Sequence, residues 1–160
     1  MKILVSVAAQ RMRVFDDAGA LLRDYSISTG KAGVGEQFGS FRTPRGRHIV
    51  RAKIGGEQPE NTVFVRRRPT GEIWSPDLDI AHPGRDWILT RILWLSGCEP
   101  GFNRLGSVDT MRRFIYIHGS PDRCEMGKPG SHGCIRMRNA DIVDLFNLVP
   151  VYTAVEITED

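Results

Sequence analysis

Up to about residue 66 the chain reads as a succession of short β-segments separated by turns, and that most restricts its fold. Ile3-Leu4-Val5-Ser6-Val7 is expected to pair with Arg11-Met12-Arg13-Val14-Phe15 across a tight turn. Met12 and Phe15 cannot lie on one face under strict alternation, so a bulge or strand end is expected near Phe15. Asp16-Asp17-Ala18-Gly19 is a turn, and residues 21–28 form a third strand. Residues 31–46 are glycine-rich and loop-like. Residues 47–54 alternate as a half-exposed strand with a basic outer face, and residues 61–65 form another strand.

The second half is mixed. Thr70 to Asp86 is polar, carries Pro and Gly, and holds Trp74. Asp86 to Leu95 is strongly apolar and holds Trp87 and Trp94. It fits a buried central strand, with Trp94 or Trp87 as the alternative lining of a substrate groove. A loop over 97–106 and a short helical turn over 107–113 precede a strand, Phe114-Ile115-Tyr116-Ile117. Asn139 to Val149 is the clearest helix: Ile142, Leu145, Phe146 and Val149 share one face, Asn139 is placed to cap it, and Pro150 ends it. Val151 to Ile157 is the last strand. The fold class expected is mainly β with one clear helix, in a single domain over 1–160.

Composition is that of an ordinary globular chain, 41% hydrophobic and 26% charged. The net charge of +3 comes without a block of five or six like charges, which argues against a nucleic-acid partner; Arg66-Arg67-Arg68 and Arg112-Arg113 read as solvated faces or attractors for an acidic ligand. No window approaches the roughly 20 apolar residues that span a bilayer, so no integral membrane segment is expected. The run Met1 to Ala9 is too short for a signal peptide's apolar region and reads as the first strand. Three cysteines, an odd number, suit a reducing compartment better than a disulfide framework.

The chemistry concentrates in Ser131-His132-Gly133-Cys134-Ile135-Arg136-Met137 and Ile117-His118-Gly119. A thiol attacks as thiolate, and an ordinary cysteine is mostly protonated at neutral pH, so it needs a base nearby. His132 and His118 are the candidates. The backbone N–H groups of His132, Gly133 and Cys134 can form an oxyanion hole. Two alternatives stand beside this reading. Cys98, Cys124 and even Cys134 can be small buried residues. His118, Cys124, His132 and Cys134 also offer four zinc ligands, although only one pair is closely spaced.

These residues carry a resemblance. Residues 115–121, a glycine-containing loop and residues 130–137 resemble the paired signature of the L,D-transpeptidase (YkuD-like) catalytic domain family. That signature is His-Gly, a loop, then Ser-His-Gly-Cys-(Ile/Val)-Arg-(Met/Leu). Ser28-Thr29-Gly30 and Phe41-Arg42-Thr43-Pro44-Arg45-Gly46 resemble the family's opening meander and its Thr-Pro-x-Gly turn. Two departures are visible: His48 where an aromatic is usual, and Tyr152 where glycine is common.

The resemblance implies a β-sandwich-like catalytic fold, no cofactor or metal, and a peptidoglycan stem peptide or muropeptide as the partner; the chain is expected to be a monomer. It assigns Cys134 as nucleophile, His118 as base, the Gly119 carbonyl as the group orienting the imidazole, and His132 as a further member of the site. Arg136 is placed either to grip a substrate carboxylate or to tie the loop. Ser131 is placed to bond substrate or shape the loop, and Trp94 to line the groove. The acyl acceptor stays open. If Met1 is the native start, the protein is cytoplasmic and hydrolysis by an L,D-carboxypeptidase in muropeptide recycling is the leading variant. If an export signal precedes the chain, a periplasmic or cell-wall transpeptidase forming 3–3 crosslinks, or attaching proteins, is the alternative. A zinc-binding or non-catalytic peptidoglycan-binding module is the third class.

Overall fold

The computed structural model describes residues 1–160 and contains ten strands and two α-helices. The strands are β1 (Lys2–Ser6), β2 (Arg11–Phe15), β3 (Leu21–Ser26), β4 (Gly46–Ile54), β5 (Thr62–Val65), β6 (Arg68–Ile73), β7 (Leu89–Gly97), β8 (Tyr116–Ser120), β9 (Ile135–Arg138) and β10 (Ala154–Thr158); the helices are α1 (Pro76–Ala81) and α2 (Asn139–Leu148). The sheet order is β3-β2-β1-β10-β4-β7-β5-β6, with β8 branching from β7 and β9 from β8.

Alternation decides which faces are buried. Ile3 and Val5 of β1, Met12 and Val14 of β2, and Val155 and Ile157 of β10 all point into one core. The expected irregularity near Phe15 is present as a register shift between Val14 and Phe15. β7 pairs with β4 on one edge and β8 on the other; Leu93 and Leu95 face the main core while Ile92 packs with Phe64 and Tyr116, so both faces are buried and the strand reads as a nearly continuous apolar run. α2 lays Ile142 and Leu145 onto the same core, with Val149 just beyond its end. The backbone beyond β3 then reaches across to β9: Ser28 and Arg136 exchange both backbone hydrogen bonds, at 3.0 and 2.8 Å. That contact curls the sheet and brings its first strands beside the segment that carries Cys134.

Two expectations are corrected, and Thr70 to Asp86 supplies ordered elements, most of β6 and all of α1. Pro69 is tolerated in a strand at the end of the sheet order, and Pro76 opens a helix where its missing N–H costs nothing. The Ser75 hydroxyl caps that helix, accepting from the Leu78 N–H at 3.1 Å. Asn139 is not the cap of α2; Arg138 holds that position without a side-chain bond, while the Asn139 amide is tied to Thr90 and Asn61. The strand delivering His118 begins at Tyr116, because Phe114 takes a left-handed conformation (φ +57°). Tyr152, where glycine was expected, also has positive φ (+69°), which explains why glycine suits that turn.

Candidate active site

Gly119 explains how the histidine strand is seated. A Cβ there would lie 2.4 Å from Asn139 Oδ1 and 2.6 Å from the Leu89 carbonyl oxygen. Both groups crowd in because Thr90 breaks the β7 ladder with φ +75° and its hydroxyl donates to Asn139 Oδ1 at 2.7 Å. With glycine in place, the Gly119 carbonyl is free to accept from His118 Nδ1 at 2.6 Å. A carbonyl only accepts, so the proton sits on Nδ1 and neutral His118 presents an unprotonated Nε2 with no partner in the protein. Burial pushes the His118 pKa down, opposed by the Asp86 carboxylate and the Gly119 carbonyl. The ring is therefore neutral and able to accept a proton.

The Ser131–Cys134 segment is shaped by its own side chains. The Ser131 hydroxyl donates to the Cys134 carbonyl and accepts from the Gly133 N–H at 3.1 Å. Gly133 has φ +119°, and a Cβ there would meet the Arg42 carbonyl oxygen at 3.1 Å. The glycine is thus a conformational requirement. Because its N–H is taken by Ser131, Gly133 is not a free oxyanion donor. The N–H groups of His132 and Cys134 have no partner within the protein.

Cys134 and His118 line one cavity of about 630 Å³, together with Phe38, Phe41, Arg66, Arg67, Asp86, Ile88, Arg113, Phe114, Tyr116, Ser131 and His132. The thiol is not bonded to His118. It accepts from the Tyr116 N–H at 3.3 Å and lies 3.4 Å from the Phe114 carbonyl, to which it can donate. Burial is the largest influence on its pKa, which is pushed up to about 12, with Asp86 adding to the rise and the Tyr116 N–H and Arg136 opposing it. This is a protonated resting thiol.

Other expected residues lie elsewhere. The Arg136 guanidinium donates to the Gly130 carbonyl at 3.0 Å and pairs with Asp86 at 3.3 Å, so it ties the loop and is absent from the cavity lining. Trp94 also stands outside the lining: its indole N–H donates to the Met111 carbonyl and its ring packs on Phe114 and Tyr116. Trp87 is buried with Val63 and Leu89. His132 is exposed and lies 3.4 Å from Asp86, at the edge of Phe41. No three His, Cys, Asp or Glu side chains converge as a metal site would require, so the four-ligand arrangement with Cys124 is not assembled.

Three residues escaped the reading of the sequence. Asp86 sits among His118, His132 and Arg136, which together outweigh its burial and hold its carboxyl below the usual range. Thr43, from the Thr-Pro turn, accepts from the Gly30 N–H at 2.8 Å and donates to the Gly133 carbonyl at 2.9 Å, coupling that turn to the nucleophile loop. Arg113 donates to the Gly35 and Arg42 carbonyls and the Ser40 hydroxyl, fixing the glycine-rich wall. The turn motif gave a signal in the sequence; Asp86 belongs to no motif, and Arg113 shows there only as half of the Arg112-Arg113 pair.

The curled sheet brings a cysteine, a neutral histidine oriented by a carbonyl and free backbone donors into one cavity. The sequence model of the L,D-transpeptidase catalytic domain (YkuD) matches residues 1–157, and the chain belongs to that family. A Bacillus licheniformis protein named as the L,D-transpeptidase YkuD is 48% identical over 157 residues, 98% of this chain and 65% of its own length. A Bacillus subtilis protein named as the L,D-transpeptidase YqjB is 34% identical over 136 residues, 85% of this chain and 59% of its own length. The chain thus spans about three fifths of these relatives. L,D-transpeptidase 3 from Mycobacterium tuberculosis shares the fold, with a TM-score of 0.60 at 16% identity over 98% of this chain and 60% of that one. No helix is long and apolar enough to cross a membrane.

Proposed function

We propose that the site is a cysteine acyl-transferase acting on peptidoglycan stem tetrapeptides, cleaving the bond between the L-centre of diaminopimelate and D-Ala. The carrying observation is His118: its Nδ1 is tied to the Gly119 carbonyl, and its basic Nε2 is left in the cavity that Cys134 lines. Substrate entry turns the thiol from Phe114 toward His118, which takes its proton as Sγ bonds to the scissile carbonyl carbon. The N–H groups of Cys134 and His132 receive the developing oxyanion. Collapse expels D-Ala, whose amine takes the proton back from His118, and leaves a Cys134 thioester. Water or an amine then releases the acyl group.

The acceptor follows from what the cavity holds. Transfer outcompetes the solvent only when an amine is held in near-attack geometry, where effective molarity reaches about 10⁵ M or more. Without such an amine, hydrolysis completes the cycle, as an L,D-carboxypeptidase would; the names of the relatives favour an amine. Purified protein given disaccharide-tetrapeptide alone is expected to yield tripeptide and free D-Ala by mass spectrometry. Added D-amino acid or excess tetrapeptide reports exchange or 3–3 dimers. Cys134→Ser should abolish all products, while Cys98→Ser and Cys124→Ser leave them largely intact. Full activity in Cys134→Ser would sink the reading.

A further inference from the structure

The hairpin that walls the cavity carries two arginines at its tip. Val65 of β5 pairs with Arg68 of β6, so Arg66 and Arg67 alone make the turn. Both have positive φ, +50° and +64°. Two-residue turns of this kind favour Asn-Gly or Gly-Gly, because side chains with a Cβ are strained there. Strain retained at the rim of a site points to a use for the side chains themselves.

Arg67 has a visible role. Its guanidinium lies 4.6 Å from the Trp94 ring centroid and 4.8 Å from that of Phe114, and it donates to the Tyr116 hydroxyl at 3.0 Å. These contacts clamp the turn onto the cavity wall. Arg66 is different: it lines the cavity, is exposed, and makes no hydrogen bond or ion pair within the protein. The other arginines at the site are engaged. Arg113 is bonded into the glycine-rich wall, and Arg136 to Gly130 and Asp86. Asp86, the one acidic residue of the lining, is already paired with Arg136 and lies 3.4 Å from His132.

A free guanidinium fork at the mouth of a peptide cavity matches a carboxylate in geometry and charge. We propose that Arg66 is a specificity-determining residue that grips a carboxylate of the peptide substrate, held over the cavity by the Arg67 clamp. This rests on the acyl-transfer reading of the same site. It also reassigns the carboxylate grip from Arg136, whose guanidinium is engaged by Gly130 and Asp86, to a residue of the β5–β6 turn. Two carboxylates of a stem peptide qualify: that of the departing terminal residue, and one on the part retained as the thioester.

The test compares the wild-type chain, Arg66→Ala, Arg66→Lys and Arg66→Gly on three synthetic tetrapeptides: one with free carboxylates, one amidated at its C-terminus, and one amidated on the diaminopimelate side chain. Wild type is expected to lose about tenfold in kcat/KM on one amidated substrate, as for an exposed charge-assisted bond. Arg66→Ala should treat that amide and the acid alike, and Arg66→Lys should keep part of the preference. The amide that matters identifies which carboxylate is held. Arg66→Gly should show the same loss of preference with an unchanged or raised Tm, since glycine relieves the left-handed turn; a purely structural arginine would give a lower Tm. Calorimetric binding of the three peptides to the Cys134→Ser chain is the independent arm. If affinity there depends on Arg66 but the wild type turns nothing over, the grip stands and the acyl-transfer reading fails. If the acid is preferred equally in wild type and Arg66→Ala, in both binding and turnover, the assignment of Arg66 is overturned.

Discussion

A resting thiol bonded away from its base has a measurable signature in its alkylation. With a pKa raised to about 12 against about 8.5 for an ordinary cysteine, Cys134 carries about 3,000-fold less thiolate at neutral pH. The more basic thiolate is intrinsically a better nucleophile, and a Brønsted coefficient of about 0.4 recovers about 25-fold. The net expectation is about 100-fold slower reaction with iodoacetamide than an ordinary thiol. Cys134 is only half-buried as a residue, so water relaxes part of the shift, and about tenfold is the smallest retardation consistent with the geometry. The assay follows each of the three cysteines separately by peptide mass spectrometry from pH 6 to 9, with Cys98 and Cys124 as internal references. The Cys134 rate should rise about tenfold per pH unit without a plateau, because its titration lies above the range. Asp86→Asn should speed it, since that carboxylate raises the thiol pKa. His118→Ala should leave it nearly unchanged in the free protein, because no bond joins the two residues at rest. A plateau by pH 7, abolished by His118→Ala, would refute the neutral resting thiol and replace it with a preformed thiolate–imidazolium pair.

Two further outcomes follow from the packing. Gly119→Ala places a methyl 2.4 Å from Asn139 Oδ1 and 2.6 Å from the Leu89 carbonyl; a loss of about 2–4 kcal/mol in denaturant unfolding is expected, with collapse of turnover as His118 loses its orienting carbonyl. His48 is buried between the Gly46 carbonyl and the Thr110 hydroxyl, and burial lowers its pKa to about 4 from 6.5. The unfolded chain therefore binds more protons between those values, so His48 contributes stability fully present above pH 6.5 and lost as pH falls toward 4. The amount is about 3 kcal/mol, and His48→Gln should flatten that part of the stability–pH curve; an unchanged acid limb would rule His48 out as its source.

The alternating strands, the one amphipathic helix and the paired His-Gly and Ser-His-Gly-Cys segments were legible in the chain because each rests on local rules. Side-chain period sets which face of β1, β2 and α2 is buried. Gly133 needs positive φ whatever surrounds it, and Ser131 bonds backbone atoms only two and three residues away. The family likeness could therefore be read in order along the sequence. Local rules failed where Pro and Gly read as breakers: β6 and α1 form because β5 pairs with one and Ser75 and Pro76 start the other.

What only the tertiary structure decided was the partner of each polar group. Arg136 and Arg66 are the same side chain chemically; a neighbouring carboxylate from residue 86 occupies one, and a tight hairpin leaves the other free. Cys134 and His118 share a cavity without sharing a bond, because Phe114 turns left-handed and offers its carbonyl to the thiol. Hydrogen bonds and ion pairs across 18 to 50 residues of sequence depend on how the sheet curls, and sequence spacing carries no record of that distance.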